Sequence, residues 1–378
     1  MQRQLELYGA GGPAQPTRLE ELRRLAEEQL DPRAWGYLDG SAGSEDTARA
    51  NVEAFRGWRI VPRMLRGVAQ PDLSIELLGQ RLASPILLAP IGVQGILHPE
   101  AEVAVAQAAS SLDVPIVLSS VSSKSLEDVS AAMAGRPRWF QLYWSRDREL
   151  AASFLRRAQS AGYSAIVVTL DTLQLGWRPR DLDHGFLPFR EGQGLANYLT
   201  DPVFRASLGG DDPAQAARRF AQVFADPSLT WDSLPFLREH TRLPILVKGI
   251  LHPDDARRAI ECGMDGVVVS NHGGRQVDGS IAALDALPGV VDAVAGRVPV
   301  LFDSGIRRAA DVIKALALGA RAVLLGRPYA YGLAVRGADG VRDVVQDLLA
   351  ELDVTMSLAG FRSPSALDRG ALVRDSLR

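Results

Sequence analysis

From Pro85 onward the chain alternates between two textures, and this alternation constrains the fold more than any other feature. Short β-branched runs that end in polar or glycine residues are each followed by Ala-rich, charged stretches of helical period. The runs are PILLAP from Pro85, PIVLSS from Pro115, RWFQLYW from Arg138, AIVVTLD from Ala165, PILVKG from Pro244, DGVVVSN from Asp265, VPVLFDSG from Val298 and RAVLLGRP from Arg321. Between them lie helix candidates such as PEAEVAVAQAASS, SLEDVSAAMA, RDRELAASFLRRAQSAG, PDDARRAIECG and RAADVIKALALG, several closed by glycine. The runs are almost continuously apolar, as parallel strands covered on both faces must be. About eight such units predict an α/β fold of the (β/α)8 TIM-barrel type. A doubly wound open sheet is the alternative, but no change of direction interrupts the repeats.

Three segments fall outside the repeat. Residues 1–84 contain a helical stretch from Leu19 to Leu30 and the polar run YLDGSAGSEDT, and are expected to cap one end of the barrel. Residues from about 173 to 243 are far too long for an ordinary connection after strand four and read as a lid over the site, with helices near Pro213–Phe224 and Trp231–Glu239. A tail, 351–378, follows a barrel portion placed at 85–350. No linker divides the 378 residues, so a single domain is expected.

A formal net charge of −3 gives no pull toward nucleic acid or anionic membrane. One cysteine, Cys262, forms no internal disulfide, and five scattered histidines show no metal-ligand spacing, so no protein-held metal is expected. Neither a signal peptide nor an apolar run of about 18–20 residues is present, and a cytoplasmic location is the expectation. GAGGPA near the start lacks the preceding strand of a dinucleotide fingerprint, and no Walker A sequence occurs.

Barrel active sites form at the carboxyl-terminal ends of the strands. Those ends carry Pro90, Ile91 and Gly92; Ser119; Gln141 and Tyr143; Thr169 and Asp171; Lys248; Ser270, Asn271 and His272; Asp303; and Gly326 and Arg327. So many polar groups at one end exceed what packing requires. DSGIRR and LGRP after the last two strands suit a phosphate: Gly305 and Gly326 admit close backbone approach, and Arg307 and Arg327 add charge at helix starts. Lys248, at the end of an apolar strand, calls for an anionic partner. In VVVSNHGGRQVDG, two glycines let His272, a base near neutral pH, and Arg275, a carboxylate fork, face one small ligand.

SNHGGRQ, with LVKG, DSGIRR, LGRP, FQLYW and TLDT, resembles the FMN-dependent L-2-hydroxy acid oxidase and dehydrogenase family from about Tyr8 to beyond Ala359. YGAGG, APIGVQG, TLDTLQLGWRPRDLD, LANYLTDPVFRASL, LTWDSLPFLRE and GRPYAYGLA are most similar to its lactate 2-monooxygenase branch. The resemblance implies FMN as cofactor and His272 as the base, oriented by Asp171. It implies Arg178 and Arg275 as the carboxylate clamp, with Tyr37 and Tyr143 bonding the substrate. Pro90, Ile91, Gly92, Ser119, Gln141, Thr169, Lys248 and Ser270 would hold the ring and ribityl chain, and Asp303, Ser304, Gly305, Arg307, Gly326 and Arg327 the ribityl and phosphate end. Gly92 stands where family oxidases often carry alanine. Val121 replaces a tryptophan or leucine, which leaves pocket size open. The implied reaction is oxidation of L-lactate by O2 to acetate, CO2 and water, if pyruvate is retained. The alternative is an oxidase releasing pyruvate and hydrogen peroxide; an FMN-barrel isomerase or a non-catalytic flavoprotein ranks below both. A homotetramer or octamer is also implied.

Overall fold

The eight apolar runs become eight parallel strands that close into a barrel in the computed structural model, which describes residues 2–9, 12–210 and 212–375. In chain order they are Ile86–Leu88, Ile116–Ser119, Arg138–Tyr143, Ala165–Thr169, Ile245–Ile250, Gly266–Val269, Val300–Phe302 and Ala322–Leu325. Each pairs with its sequence neighbours, and the eighth closes on the first through Val323–Ile86 and Leu325–Leu88. The alternative of an open sheet is thereby excluded. Period-two alternation explains the unbroken apolar runs. Leu87, Val117, Val167, Leu246, Val268, Leu301 and Leu324 share one cluster in the barrel interior. Ile86, Leu88, Leu118, Phe140, Ile166 and Val269 join the other, which includes the surrounding helices.

The amino-terminal segment serves both ends of the barrel, not one. A hairpin, Ile75–Leu77 with Gln80–Leu82, puts Ile75, Leu77 and Leu82 into the interior cluster. Contacts of Glu76 O with Arg321 and of Gln80 with Ser164, residues just before strands eight and four, place it at the amino-terminal mouth. Helices Pro32–Asp39 and Asp46–Arg56 lie at the opposite, carboxyl-terminal mouth. There the amides of Ser44 and Thr47 donate to the Asp278 carboxylate, and Ala42 N donates to Gly274 O at 2.9 Å. The expected helix at Leu19–Leu30 runs from Leu19 to Gln29.

The boundary at residue 350 falls within a helix, Arg327–Ala359, so the barrel's last helix ends nine residues later. That helix breaks at Arg336–Gly337, where Gly337 adopts φ +58 and a Cβ would lie 2.8 Å from His98 Nε2. Beyond it the tail returns to the start of the chain, Leu372–Arg374 pairing antiparallel with Trp58–Ile60. The long insertion folds into short helices, among them Pro213–Val223 and Pro235–His240, close to the expected positions. Phe189, Tyr198, Phe204, Phe220 and Phe224 pack ring against ring within it, some edge to face and some stacked or tilted, and give it a core of its own. Of the motifs cited for resemblance, Ala10 and Gly11 of YGAGG lie outside the described residues, as do Met1, Asp211 near the middle of the insertion and the last three of the tail. No helix among the described residues is long and apolar enough to cross a membrane.

Candidate active site

The turn after strand six sets the site. His272, Gly273 and Gly274 all adopt left-handed φ (58, 65 and 79°). A Cβ on Gly274 would lie 2.6 Å from Ala48 N, and one on Gly273 3.0 Å from Arg327 Nη1, so only glycine fits. Asn271 holds the turn by accepting from Gly274 N, and Ser304 Oγ accepts from Gly273 N at 3.0 Å. The strained conformation of His272 carries its ring off the end of the strand into the barrel mouth.

His272 Nδ1 lies 2.7 Å from Asp171 Oδ1, and Thr172 Oγ1 donates to the same oxygen at 3.0 Å. A carboxylate on Nδ1 fixes the proton there and leaves the Nε2 lone pair free, 3.5 Å from Tyr143 OH. Burial pushes the His272 pKa below its ordinary 6.5, with Lys248 and Arg178 adding to the effect against the pull of Asp171. Burial opposes the Asp171 charge too, yet His272 and Lys248 outweigh it and bring the carboxyl down to about 2. At neutral pH the pair is a neutral imidazole on a carboxylate.

Arg275 is fixed by Nη1 donating to Tyr37 O and Gly40 O, both at 2.6 Å, with its guanidinium over the Tyr37 ring. Arg178 donates from Nε to Arg275 O at 3.1 Å and from Nη2 to Gln276 Oε1 at 3.0 Å. Burial, with Arg178 next, lowers Arg275 to about 9, still charged at neutral pH. Two half-buried guanidinium groups side by side, with Asp181 at 4.0 Å from Arg178 as the nearby carboxylate, leave room for a further anion between them and the cavity.

One cavity is lined by Tyr37, Tyr143, His272, Arg178 and Arg275 at one end. The same cavity reaches Asp303, Ser304, Gly305, Arg307, Gly326 and Arg327 at the other, passing Pro90, Ile91, Gly92 and Lys248. The predicted residues therefore converge on one space. Five of them stand just beneath its surface. Asp171 backs His272, and Ser270 accepts from Lys248 Nζ at 2.8 Å. Ser119, Gln141 and Thr169 form a buried relay across strands two to four, Ser119 Oγ donating to Gln141 Oε1 at 3.0 Å and Gln141 Nε2 to Thr169 Oγ1 at 2.8 Å.

FMN suits this cavity on the chemistry of its lining. Arg307 is half-buried, its guanidinium donates among the described residues only to the neighbouring Ile306 O, and burial lowers its pKa. An anion at the starts of helices Ala309–Ala317 and Arg327–Ala359 would give Arg307 a partner, beside an Arg327 held by Leu38 O, Gly40 O, Ser41 Oγ and Gly273 O. Between the two ends, burial opposes the Lys248 charge, but Asp303 and Asp171 hold the ammonium above its ordinary range. A buried cation beside a ring is suited to stabilise electrons delivered to that ring.

Sequence reasoning missed several contributors. Thr172 and Gln276 each follow a predicted residue directly, in TLDT and SNHGGRQ. Ser41 accepts from Arg327 Nη2 at 2.7 Å, and Phe189 and Phe224 of the insertion line the cavity. Nothing local marked these three. The two departures at Gly92 and Val121 are neighbours: a Cβ on Gly92 would lie 2.6 Å from Val121 Cγ2. The space left by the missing methyl is filled by valine.

The fold and cavity define a class, the FMN-dependent barrel oxidoreductases. The chain belongs to the FMN-dependent dehydrogenase family, whose description matches residues 26–374. It is 50% identical over 370 residues, covering 96% of this chain and 92% of the relative, to an FMN-dependent alpha-hydroxy acid dehydrogenase of Penicillium citrinum. Identity to an L-lactate oxidase of Lysinibacillus sphaericus (strain C3-41) is 45% over 360 residues, 95% of this chain and 93% of the relative. Among solved structures, a mandelate oxidase superposes with a TM-score of 0.84 at 42% identity, over 95% of this chain and 98% of the other.

Proposed function

We propose that the protein oxidises a small L-2-hydroxy acid, L-lactate foremost, with FMN as electron acceptor and O2 as second substrate. The observation that carries this reading is the placement of His272, Arg178 and Arg275 on one cavity, with Asp171 on the far nitrogen of the imidazole. The two guanidinium groups bind the substrate carboxylate as paired forks. His272 Nε2 then takes a proton from the substrate as the α-carbon gives up two electrons, and Asp171 stabilises the imidazolium that results. Tyr143 and Tyr37 orient the substrate oxygens. Bound FMN supplies a two-electron acceptor. Ser119, Gln141, Thr169, Lys248 and Ser270 would hold its ring, and Asp303, Ser304, Gly305, Arg307, Gly326 and Arg327 its phosphate end.

For the oxygen step, the reading from sequence is lactate 2-monooxygenation, with the insertion over residues 173–243 keeping pyruvate in place until it is decarboxylated to acetate. A second reading, release of pyruvate and hydrogen peroxide, is favoured by the similarity to L-lactate oxidases of Lysinibacillus sphaericus and a Nostoc species. Product analysis after aerobic turnover of L-lactate separates them: acetate and CO2 support the first, pyruvate with peroxide the second. Anaerobic L-lactate should bleach the yellow protein; unchanged flavin absorbance with every small L-2-hydroxy acid would reject both. A cytoplasmic homo-oligomer, a tetramer or an octamer, completes the proposal.

A further inference from the structure

Two loops form the cavity wall around Gly92: the one after strand one, which carries Pro90 to Leu97, and the one after strand two, which carries Val121. They are joined by Val93 N donating to Val121 O at 2.9 Å and Gly95 N donating to Ser123 Oγ at 2.9 Å. Behind both stands Glu102, the second residue of helix Ala101–Ser111 and only 2% exposed. Its carboxylate accepts from Gln94 N at 3.1 Å in the first loop. It also accepts from Ser123 N at 3.0 Å and Lys124 N at 3.2 Å in the second. No salt bridge reaches Glu102 among the described residues. A buried carboxylate held by amides alone is costly to maintain, and here those amides belong to the two loops that meet at the reacting end of the cavity.

We propose that Glu102 is a specificity-determining positioning residue, which clamps the two loops and so fixes how far Val121 stands from Gly92 and how much room a substrate side chain has. This rests on the 2-hydroxy acid reading, and is independent of what becomes of oxygen. Its carboxylate must stay an acceptor for the clamp to hold. Burial raises the Glu102 pKa to about 7 against the pull of the Ser123, Gln94 and Lys124 amides. Tyr329, on the helix Arg327–Ala359, faces it, and burial with Glu102 itself keeps that phenol protonated far above neutrality. Lys124 meets the carboxylate through its amide. Protonation replaces an acceptor by an O–H directed at amide hydrogens, and the loops separate. Glu102→Gln puts an N–H in the same place at every pH.

The test is anaerobic stopped-flow reduction of the holoenzyme by L-mandelate and by L-lactate, on both sides of neutrality, for the natural protein and Glu102→Gln. The ratio of the two second-order rate constants cancels the titration of His272 and any change in flavin loading, which act on both acids alike. Above neutral pH the variant should favour mandelate by roughly three- to tenfold more than the natural protein does, up to the lower end of what one methylene of pocket space is worth. The natural protein should approach the variant's ratio as the pH falls below neutral, and Glu102→Asp should stay near the natural ratio in alkali. Flavin reduction by both acids with one pH-independent ratio shared by natural protein and Gln variant would overturn the clamp. Failure of both acids to reduce the flavin would instead refute the hydroxy acid reading beneath it. The pH series on the natural protein decides the matter even if the Gln variant does not fold.

Discussion

His272 is a weak base in water and a suitable one here because three things act on a single ring. Asp171 fixes its tautomer, burial keeps it neutral, and a left-handed backbone aims Nε2 into the cavity. His272→Ala should keep FMN bound, since the phosphate end is untouched, while flavin reduction slows by roughly a hundredfold or more. Unchanged reduction would take His272 out of the mechanism. With its pKa lowered from 6.5, the ring is neutral through neutral pH, so limiting reduction should be flat there and fall only in more acidic solution as Nε2 is protonated. Arg178→Met should raise KM for L-lactate by an amount equivalent to roughly 2–5 kcal/mol, the cost of leaving a buried charge unpaired. Saturation curves that superimpose would dismiss the clamp. These residues were legible because they sit at strand ends in a glycine-marked motif. The contact of Gly92 with Val121 was not, since 28 intervening residues separate two loops that only barrel closure brings together.

At the scale of elements, the insertion between strands four and five is the part with its own core. Phe220 is 3% exposed and stacks on Phe189, Tyr198 and Phe224, and Phe224 in turn meets the Tyr143 ring. Phe220→Ala should cost about 3–5 kcal/mol of local stability and expose the insertion to proteolysis before the barrel. Limited digestion followed by mass spectrometry would check this; first cuts in the barrel helices would show that the insertion is not an independent unit. All eight strands and two of the insertion's helices, near Pro213–Val223 and Pro235–His240, could be read from the sequence, whereas the short ones such as Ala196–Leu199 and Pro202–Ala206 could not. The hairpin at Ile75–Leu82, two strands of three residues each, is too short to show a period and becomes recognisable only through what it plugs.

The whole molecule carries four cations, Lys248, Arg275, Arg307 and Arg327, along one cavity, the lysine buried and the three arginines half-buried. Stripping FMN should therefore lower the melting temperature, and adding it back at 100 times its Kd should restore about 2.7 kcal/mol. Calorimetry showing equal melting of the stripped and reloaded protein would contradict the assigned phosphate end. Acid should act through Asp171, whose folded pKa of about 2 lies below its ordinary 3.8. Its contribution to stability is complete above that ordinary value and is lost as pH falls toward 2. Asp171→Asn should flatten that acid limb of a stability-against-pH curve.

The sequence by itself determined the barrel, the identity of most cavity-lining groups and the family, because strand period and strand-end chemistry are local properties of the chain. Tertiary structure alone decided that the amino-terminal segment serves both mouths, that the last helix runs to Ala359 and the tail pairs with Trp58–Ile60, and that Val121 occupies the space Gly92 leaves. It alone placed Glu102 between two loops. Each of these depends on contacts between residues remote in sequence, and such contacts exist only once the barrel has closed.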